Sequence, residues 1–222
     1  SYRVYFSDKV RGAVLRLSKD GLTAISEAGM KDWFRDNLKL GNEIIGSYDD
    51  KKSEYNITIK KLNDESTTVS WKEDVKGWVS FKSFIPENGI SCANEYYTFI
   101  NGELWKHHEE GTSENPVDRN TFYNVFKESS FNVILNDVVS TVKSFNTLGY
   151  EGSQSRVDVI VDDNGLVVQD GEYFNLRSKD GWYVKSIVTD QEKGSLNEFI
   201  NKENKWFNYL KGQNVTIKSL TR

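Results

Sequence analysis

Six Asn-Gly or Asp-Gly dipeptides punctuate this chain, beginning at Asp20, Asn88, Asn101, Asn164, Asp170 and Asp180, against only two prolines. Such dipeptides supply positive φ at both central residues of a type I′ turn, whose twist matches the strands it joins. Each therefore marks a reversal between antiparallel strands. Reversals this frequent leave little room for long helices and predict a mainly β fold of antiparallel meanders.

The densest part lies between Trp71 and His108. Val69 and Trp71, then Trp78, Val79 and Phe81, then Tyr96, Tyr97, Phe99, Leu104 and Trp105 follow the period-2 signature of half-buried strands. With Asn88-Gly89 and Asn101-Gly102 in the gaps, this reads as one sheet of roughly 40 residues, about the size of a propeller blade. Trp71, Trp78, Phe81, Tyr97, Phe99 and Trp105 are its expected core.

The same grammar holds on either side. Residues 2–18 read as a hairpin broken at Ser7-Asp8-Lys9. Residues 43–61 read as a second, with a clean inside face (Tyr55, Ile57, Ile59) and outside face (Asn56, Thr58, Lys60). Residues 157–168 read as a third around Asn164-Gly165, and Asp170-Gly171 and Asp180-Gly181 bracket Tyr173 and Phe174. Phe131, Val133 and Leu135 before Asn136-Asp137, and residues 215–217, complete the expected strands.

Two short accessory helices are expected. One carries Met30, Trp33, Phe34 and Leu38 on one face, capped by Ser26 and stopped near Gly41. The other covers Leu196, Phe199, Ile200 and residues 205–210. The polar stretch 109–120, with Pro116, reads as a surface loop. The expected division is a propeller-like β-blade region, 1–150, and a C-terminal β region with a short helix, 151–222, packed on the first.

Composition narrows the class. With 13% aromatic and 28% charged residues, the 222-residue chain has too much buriable surface to be disordered and too much charge for a membrane. No apolar run approaches the roughly 20 residues that cross a bilayer. A net charge of −4 argues against tight nucleic-acid binding, which neutralises phosphates with a basic surface, while leaving room for a local basic face. Cys92 is the only cysteine, so internal disulfides and Cys-based zinc are excluded; it reads as a small core residue in a reducing compartment. The chain starts within the strand-like run Tyr2, Val4, Phe6, with neither initiator Met nor signal peptide, and is expected to be a fragment of a longer protein.

Few residues carry recognisable chemistry. His107 and His108 are adjacent, so on a strand they point to opposite faces and cannot converge on one ion; they read as a solvated strand end. Asp162-Asp163-Asn164-Gly165 lacks the alternating ligands and distal Glu of a calcium loop. No nucleophile elbow, phosphate-cradling glycine loop or placeable carboxylate pair is present. No catalytic, cofactor-binding or metal-binding residue is assigned, no cofactor is implied, and an enzyme is not expected. Six tryptophans (33, 71, 78, 105, 182 and 206) would suit a sugar-stacking platform, but their spacing favours a core.

Several runs resemble tail nozzle or muzzle proteins of crAss-like phages and related virion proteins of large tailed phages. They are RVYFSDKVRGAVLRLSKDGLTAIS and GMKDWFRDNL within residues 3–38, IIGSYDDKKSEYNITI (44–59), KGWVSFKSFIPENGIS (76–91) and YYTFINGELWKHH (96–108). NVILNDVVSTVKSFNTLGYEG (132–152) and GWYVKSIVTDQEKGSLNEFINKENKWFNYLKG (181–212) extend the resemblance over nearly the whole chain. It implies a non-enzymatic virion structural protein with propeller-like blades, as in an incomplete propeller, repeated around the tail axis as part of the conduit or gate for DNA. Its partners would be other copies of itself, in a ring, and neighbouring tail proteins. DNA would pass without tight binding along an acidic lumen. The location implied is the virion tail, assembled in the bacterial host cytoplasm. The rival readings are a glycan-binding or glycan-cleaving propeller module and a cellular interaction propeller. Ser18-Lys19-Asp20-Gly21 recurs as Ser178-Lys179-Asp180-Gly181, near the Asp-box turn of sialidase-type propellers but one residue short, and reads as a shared turn chemistry.

Overall fold

The chain begins with β1 (Val4–Asp8), β2 (Ala13–Ser18) and β3 (Gly21–Ala24), an antiparallel sheet in that order. A 3-10 turn (Ile25–Glu27) and one helix, α1 (Lys31–Leu40), lead into a four-stranded meander: β4 (Glu43–Asp49), β5 (Glu54–Lys60), β6 (Thr67–Lys72) and β7 (Gly77–Lys82). β8 (Asn88–Cys92), β9 (Glu95–Ile100) and β10 (Glu103–Lys106) make a third sheet with β9 in the middle; β11 (Thr121–Phe122) and β12 (Val125–Phe126) form a small ribbon. The computed structural model describes residues 2–63, 65–152, 155–157, 162–166, 179–190, 192–203 and 205–212.

Two compact units result, Ser1–Val133 and Ile134–Arg222. In the second, β13 (Thr147–Tyr150), β14 (Val184–Val188), β15 (Lys193–Leu196), β16 (Ile200–Lys202), β17 (Lys205–Tyr209) and β18 (Lys211–Gly212) form two sheets, ordered β13-β17-β16 and β14-β15-β18. The described residues are therefore mainly antiparallel β with one α-helix, and neither a closed barrel nor a propeller is found among them. No helix among them is long and apolar enough to cross a membrane.

The core of the first unit lies between the four-stranded sheet on one side and α1 with the first sheet on the other. Val14, Phe34, Leu38, Ile57, Ile59 and Val69 are wholly buried there, with Ile25, Tyr55 and Trp71 almost so. Register explains the set: Ile57 faces Val69 and Tyr55 faces Trp71, so one face of β5 and β6 is continuously apolar. On β7 a bulge leaves Val79 without a partner opposite β6, and Trp78 thereby pairs with Trp71. Strict pairing would instead set Val79 opposite Trp71 and turn Trp78 to the other face. Its ring instead lies 4.5 Å from that of Phe34 and 5.5 Å from that of Trp71, and its indole N–H donates to the Ile25 carbonyl.

Glu73, in the β6–β7 turn, joins the first two sheets. It accepts from the Tyr5 hydroxyl (2.7 Å), Arg16 Nη1 (2.6 Å) and Trp71 Nε1 (3.0 Å). Burial raises its pKa, but these three bonds outweigh that and leave it below the ordinary carboxylate value. The β1–β2 turn comes so close to α1 that a Cβ on Gly12 would lie 2.5 Å from the Arg35 Cα, and Gly12 has φ +69°.

Several expectations are corrected. Ser26 does not cap α1: it is buried in the 3-10 turn, and Met30 holds the N-cap position without a side-chain bond. Gly41 does end the helix, its N–H reaching the Asn37 and Leu38 carbonyls. The second helix is absent among the described residues: β15 ends at Leu196, and β16 and β17 pair as a hairpin where the spacing predicts a helix. The 71–108 stretch is two sheets, because Asn88-Gly89 is not a turn but the start of β8, opposite Phe99 and Thr98. Asn101-Gly102 is the expected turn, with φ of 52° and 77°, and Ala93-Asn94 makes another that its composition did not announce.

The 43–61 hairpin forms, yet its polar face is buried too, with Asn56 and Thr58 each 2% exposed. Phe81 (58% exposed) and Phe99 (39%) leave the core, and Cys92 is exposed. Residues 127–146 hold no strand, so the one expected over Phe131, Val133 and Leu135 is missing. Residues 109–120 are a loop. At Asn164-Gly165, the Asp162 carboxylate accepts the Asn164 and Leu166 amides in a turn, while most of its flanking strands, Asp170-Gly171, Tyr173, Phe174, Ser178 and residues 215–217 lie outside the described residues.

Candidate functional site

The polar face of the four-stranded sheet is where the chain concentrates its buried polar chemistry. Strand alternation puts Ser47, Asp49, Glu54, Asn56, Thr58, Thr68 and Ser70 on the face opposite the core, and all seven are buried. Each needs a partner there, since an unpaired buried polar group costs roughly 1–3 kcal/mol. Ser70 Oγ donates to Asn56 Oδ1 (2.5 Å), and Thr68 Oγ1 donates to the Phe84 carbonyl (2.7 Å). Because the single Thr68 proton is thus committed, the 2.7 Å contact between Thr58 and Thr68 has Thr58 as donor.

β9 supplies the other side of this seam. Its buried residues are Tyr96 and Thr98, both 0% exposed, and not the expected Tyr97 and Phe99. The Tyr96 hydroxyl and Ser47 Oγ lie 2.7 Å apart. A polar face demands hydrogen-bonding side chains opposite it, so the strand turns its hydroxyl row inward and leaves Phe99 half exposed. Burial raises the Tyr96 pKa despite bonds with Ser47 and Asn56.

His107 and His108 complete the seam, and neither is a solvated strand end. β10 stops at Lys106, and His108 has φ +59°, so strict alternation no longer applies. His107 is 6% exposed, boxed by the rings of Phe84 (4.8 Å), Tyr96 (5.0 Å) and Phe122 (6.0 Å), with Nε2 2.7 Å from Thr98 Oγ1. Thr98 Oγ1 also meets the Tyr123 hydroxyl at 2.9 Å. Burial first, then the neighbouring His108, lowers the His107 pKa from 6.5 to about 4. His107 is therefore neutral near pH 7.

His108 turns to Asp49, with Nε2 2.6 Å from Oδ2. Burial pushes the Asp49 pKa up, but the His108 bond and the Lys52 and Lys51 amides outweigh it and hold the carboxyl below its usual range. As a carboxylate Asp49 only accepts, so His108 Nε2 carries the shared proton. Lys51 Nζ bonds both Glu95 oxygens and the His108 carbonyl, which fixes the same segment a second time.

These are the groups of a hydroxyl–imidazole–carboxylate relay, but a relay needs one imidazole between hydroxyl and carboxylate. Here the hydroxyl meets one histidine and the carboxylate the other. Thr98 is also closed to solvent. What the geometry does is mechanical: it fastens the chain beyond β10, including the ribbon that carries Phe122 and Tyr123, onto the sheet. Among the described residues no three His, Cys, Asp or Glu side chains gather as a metal site. Sequence reasoning pointed to the histidines but missed Asp49, Thr98, Tyr96 and Tyr123; the one available signal was Thr and Ser at alternate positions of β5 and β6.

Residues 117–213 match the family model described as the Crassvirus muzzle protein C-terminal domain. This match, over less than half of the chain, supports a crAss-like phage muzzle-type protein. No curated protein matches it. The muzzle match begins in the loop before β11, takes in Tyr123 and the irregular stretch 127–146, and runs through the second unit. Asp49, Thr98 and the two histidines lie before it. The muzzle family is one of phage virion structural proteins, which implies assembly with tail components.

Proposed function

We propose that this muzzle-type chain is a wall element of the phage tail nozzle, forming part of the conduit or gate through which packaged DNA leaves. The family match carries the reading. The fold supports it: three- and four-stranded sheets are of blade size, and propeller-like closure would be reached with other blades around the tail axis. Buried polar bonds brace the sheets where a catalytic cleft would need access. The net charge of −4 favours passage of phosphate over retention.

The six indoles speak against the glycan-platform alternative, since none of them is exposed. Trp71 and Trp78 are held from inside by Glu73 and the Ile25 carbonyl.

Electron microscopy of the virion, with the chain located by a gold-labelled antibody, tests the proposal. Labelling at the tail with a central channel is the expected result. Labelling only on the capsid, or firm salt-sensitive DNA binding by the isolated chain, would overturn it.

A further inference from the structure

The first sheet carries large hydrophobic side chains on both of its faces. Inward, Tyr5 and Val14 join the core, with the Tyr5 ring 4.4 Å from that of Tyr55. Outward, register aligns Val4 with Leu17 and Leu22 in one row, and Phe6 with Leu15 and Ala24 in the next. Val4, Phe6, Leu17 and Leu22 are 41–61% exposed, and the two rows hold no charged side chain, Asp8 standing at the edge beyond them opposite Ala13. An antiparallel sheet at a protein surface ordinarily alternates apolar with polar. The outer face of β8–β10 also exposes apolar residues, but Glu95 and Lys106 lie on that sheet and meet at 3.8 Å.

The same chain carries a second apolar surface. Between Phe131 and Phe145 eight large hydrophobic side chains are 43–104% exposed, among them Ile134 (91%), Val139 (79%) and Val142 (104%). This stretch lies wholly inside the family match and contains the division between the two units. Its sequence reads as a strand, yet no strand forms there. Only Asp137 and Lys143 are charged between positions 131 and 145, so it can lie against an uncharged face without stranding a cluster of ions.

We propose that residues 131–145 of one copy dock on the outer face of the β1–β3 sheet of a second copy. At roughly 100 Å² of exposed surface each, the twelve side chains offer on the order of 1,200 Å², the lower end of what a specific contact buries. The two surfaces differ, so the contact is head to tail; each copy keeps a free face and a free segment, and repetition gives a closed ring or a filament. The inference deepens the tail-wall reading by naming its contact between copies.

Two single variants test it in the full chain. Leu17→Lys charges the face and Val139→Asp charges the segment, both at exposed positions, and far-ultraviolet circular dichroism with thermal melting checks that each still folds. Sedimentation velocity is expected to show the parent chain self-associating and either variant weakening that association by about tenfold or more. An equimolar mixture of the two is the decisive arm. Leu17→Lys retains a good segment and Val139→Asp a good face, so the mixture forms pairs and stops there.

A parent chain that stays monomeric at every concentration overturns the proposal, as does association that neither variant weakens. Weakening by Leu17→Lys alone overturns the segment as occupant and leaves another surface of the second copy as the candidate. None of these results touches the location of the chain in the virion, so this contact and the tail-wall function fail separately.

Discussion

His108 Nε2 and Asp49 Oδ2 meet at 2.6 Å although 59 positions separate them in sequence, and the carboxylate is 2% exposed. The bond ties the segment after β10 to the end of β4. Asp49→Asn removes the charge and leaves the His108 N–H facing a weaker acceptor, while Asp49→Ala leaves it unpaired. We expect a loss of about 1–3 kcal/mol in urea unfolding for the alanine variant and less for asparagine. Equal losses would mean that the charge is irrelevant.

Stability should fall on acidification because of His107. Its pKa is lowered in the fold to about 4, mainly by burial, against 6.5 when unfolded. Between those values the unfolded chain takes up a proton that the folded chain refuses, so the contribution is complete above pH 6.5 and drains away toward pH 4. Between pH 7.5 and pH 5 the expected loss is about 2 kcal/mol. His107→Gln should flatten that slope. A slope unchanged in the variant would place the titration elsewhere.

Two identical dipeptides should respond differently to alanine. Gly102 has φ +77° with nothing near its missing Cβ, so Gly102→Ala meets backbone strain alone, about 1 kcal/mol. Gly89 lies in β8, where a Cβ would come 2.7 Å from the Tyr96 hydroxyl and 3.0 Å from Ser47. Gly89→Ala drives apart the two sides of the seam and should cost about 1–3 kcal/mol. Pairing it with Ser47→Gly should recover part of that loss only at position 89, as thermal melts of the double variants would show.

Thr58 and Thr68 should behave as one unit. Thr68→Val deprives both Thr58 and the Phe84 carbonyl of a partner, and Thr58→Val removes the donor to Thr68. Each is expected to cost about 1–2 kcal/mol, and the double variant less than their sum, because two valines leave fewer orphaned groups than one. Strict additivity in the cycle would contradict the bonding order described.

Trp78→Ala should cost about 3 kcal/mol through lost contacts with Phe34 and Trp71, whereas Trp78→Phe loses chiefly the bond to Ile25, about 1 kcal/mol. Deleting Val79 should cost less than Trp78→Ala, since Ser80 and Trp78 then stand in regular register opposite Ser70 and Trp71 and the indole still aims inward. Denaturation midpoints of the three variants would rank them.

Strands were legible wherever turn chemistry and alternation agreed, as in β4–β5 and in the Asn101-Gly102 hairpin. Asn88-Gly89 misled because a turn dipeptide also suits a strand that must approach its neighbour closely, and only Ser47 and Tyr96 reveal that need. Phe99 reads as inward on hydrophobicity, but the opposing surface decides which face a strand hides, and Ser47, which meets Tyr96, lies 49 positions before it. Leu196, Phe199 and Ile200 fit helical spacing, yet strand pairing prevails over it, Leu196 with Val184 of β14 and Ile200 with Phe207 of β17. His107 and Thr98 escaped notice as a pair because only the third sheet brings them together.

The hydroxyl seam has a mechanical corollary. Methyl groups pressed against methyl groups glide, since one van der Waals neighbour is as good as the next; Ser47, Asp49 and Lys51 instead hold Tyr96, His108 and Glu95 at fixed bearings. Sliding one layer past the other by a fraction of a residue breaks several such links at once and remakes none until a full step is reached. Under load, a body joined in this way keeps its shape up to a threshold and then yields abruptly, like a ratchet rather than a bearing.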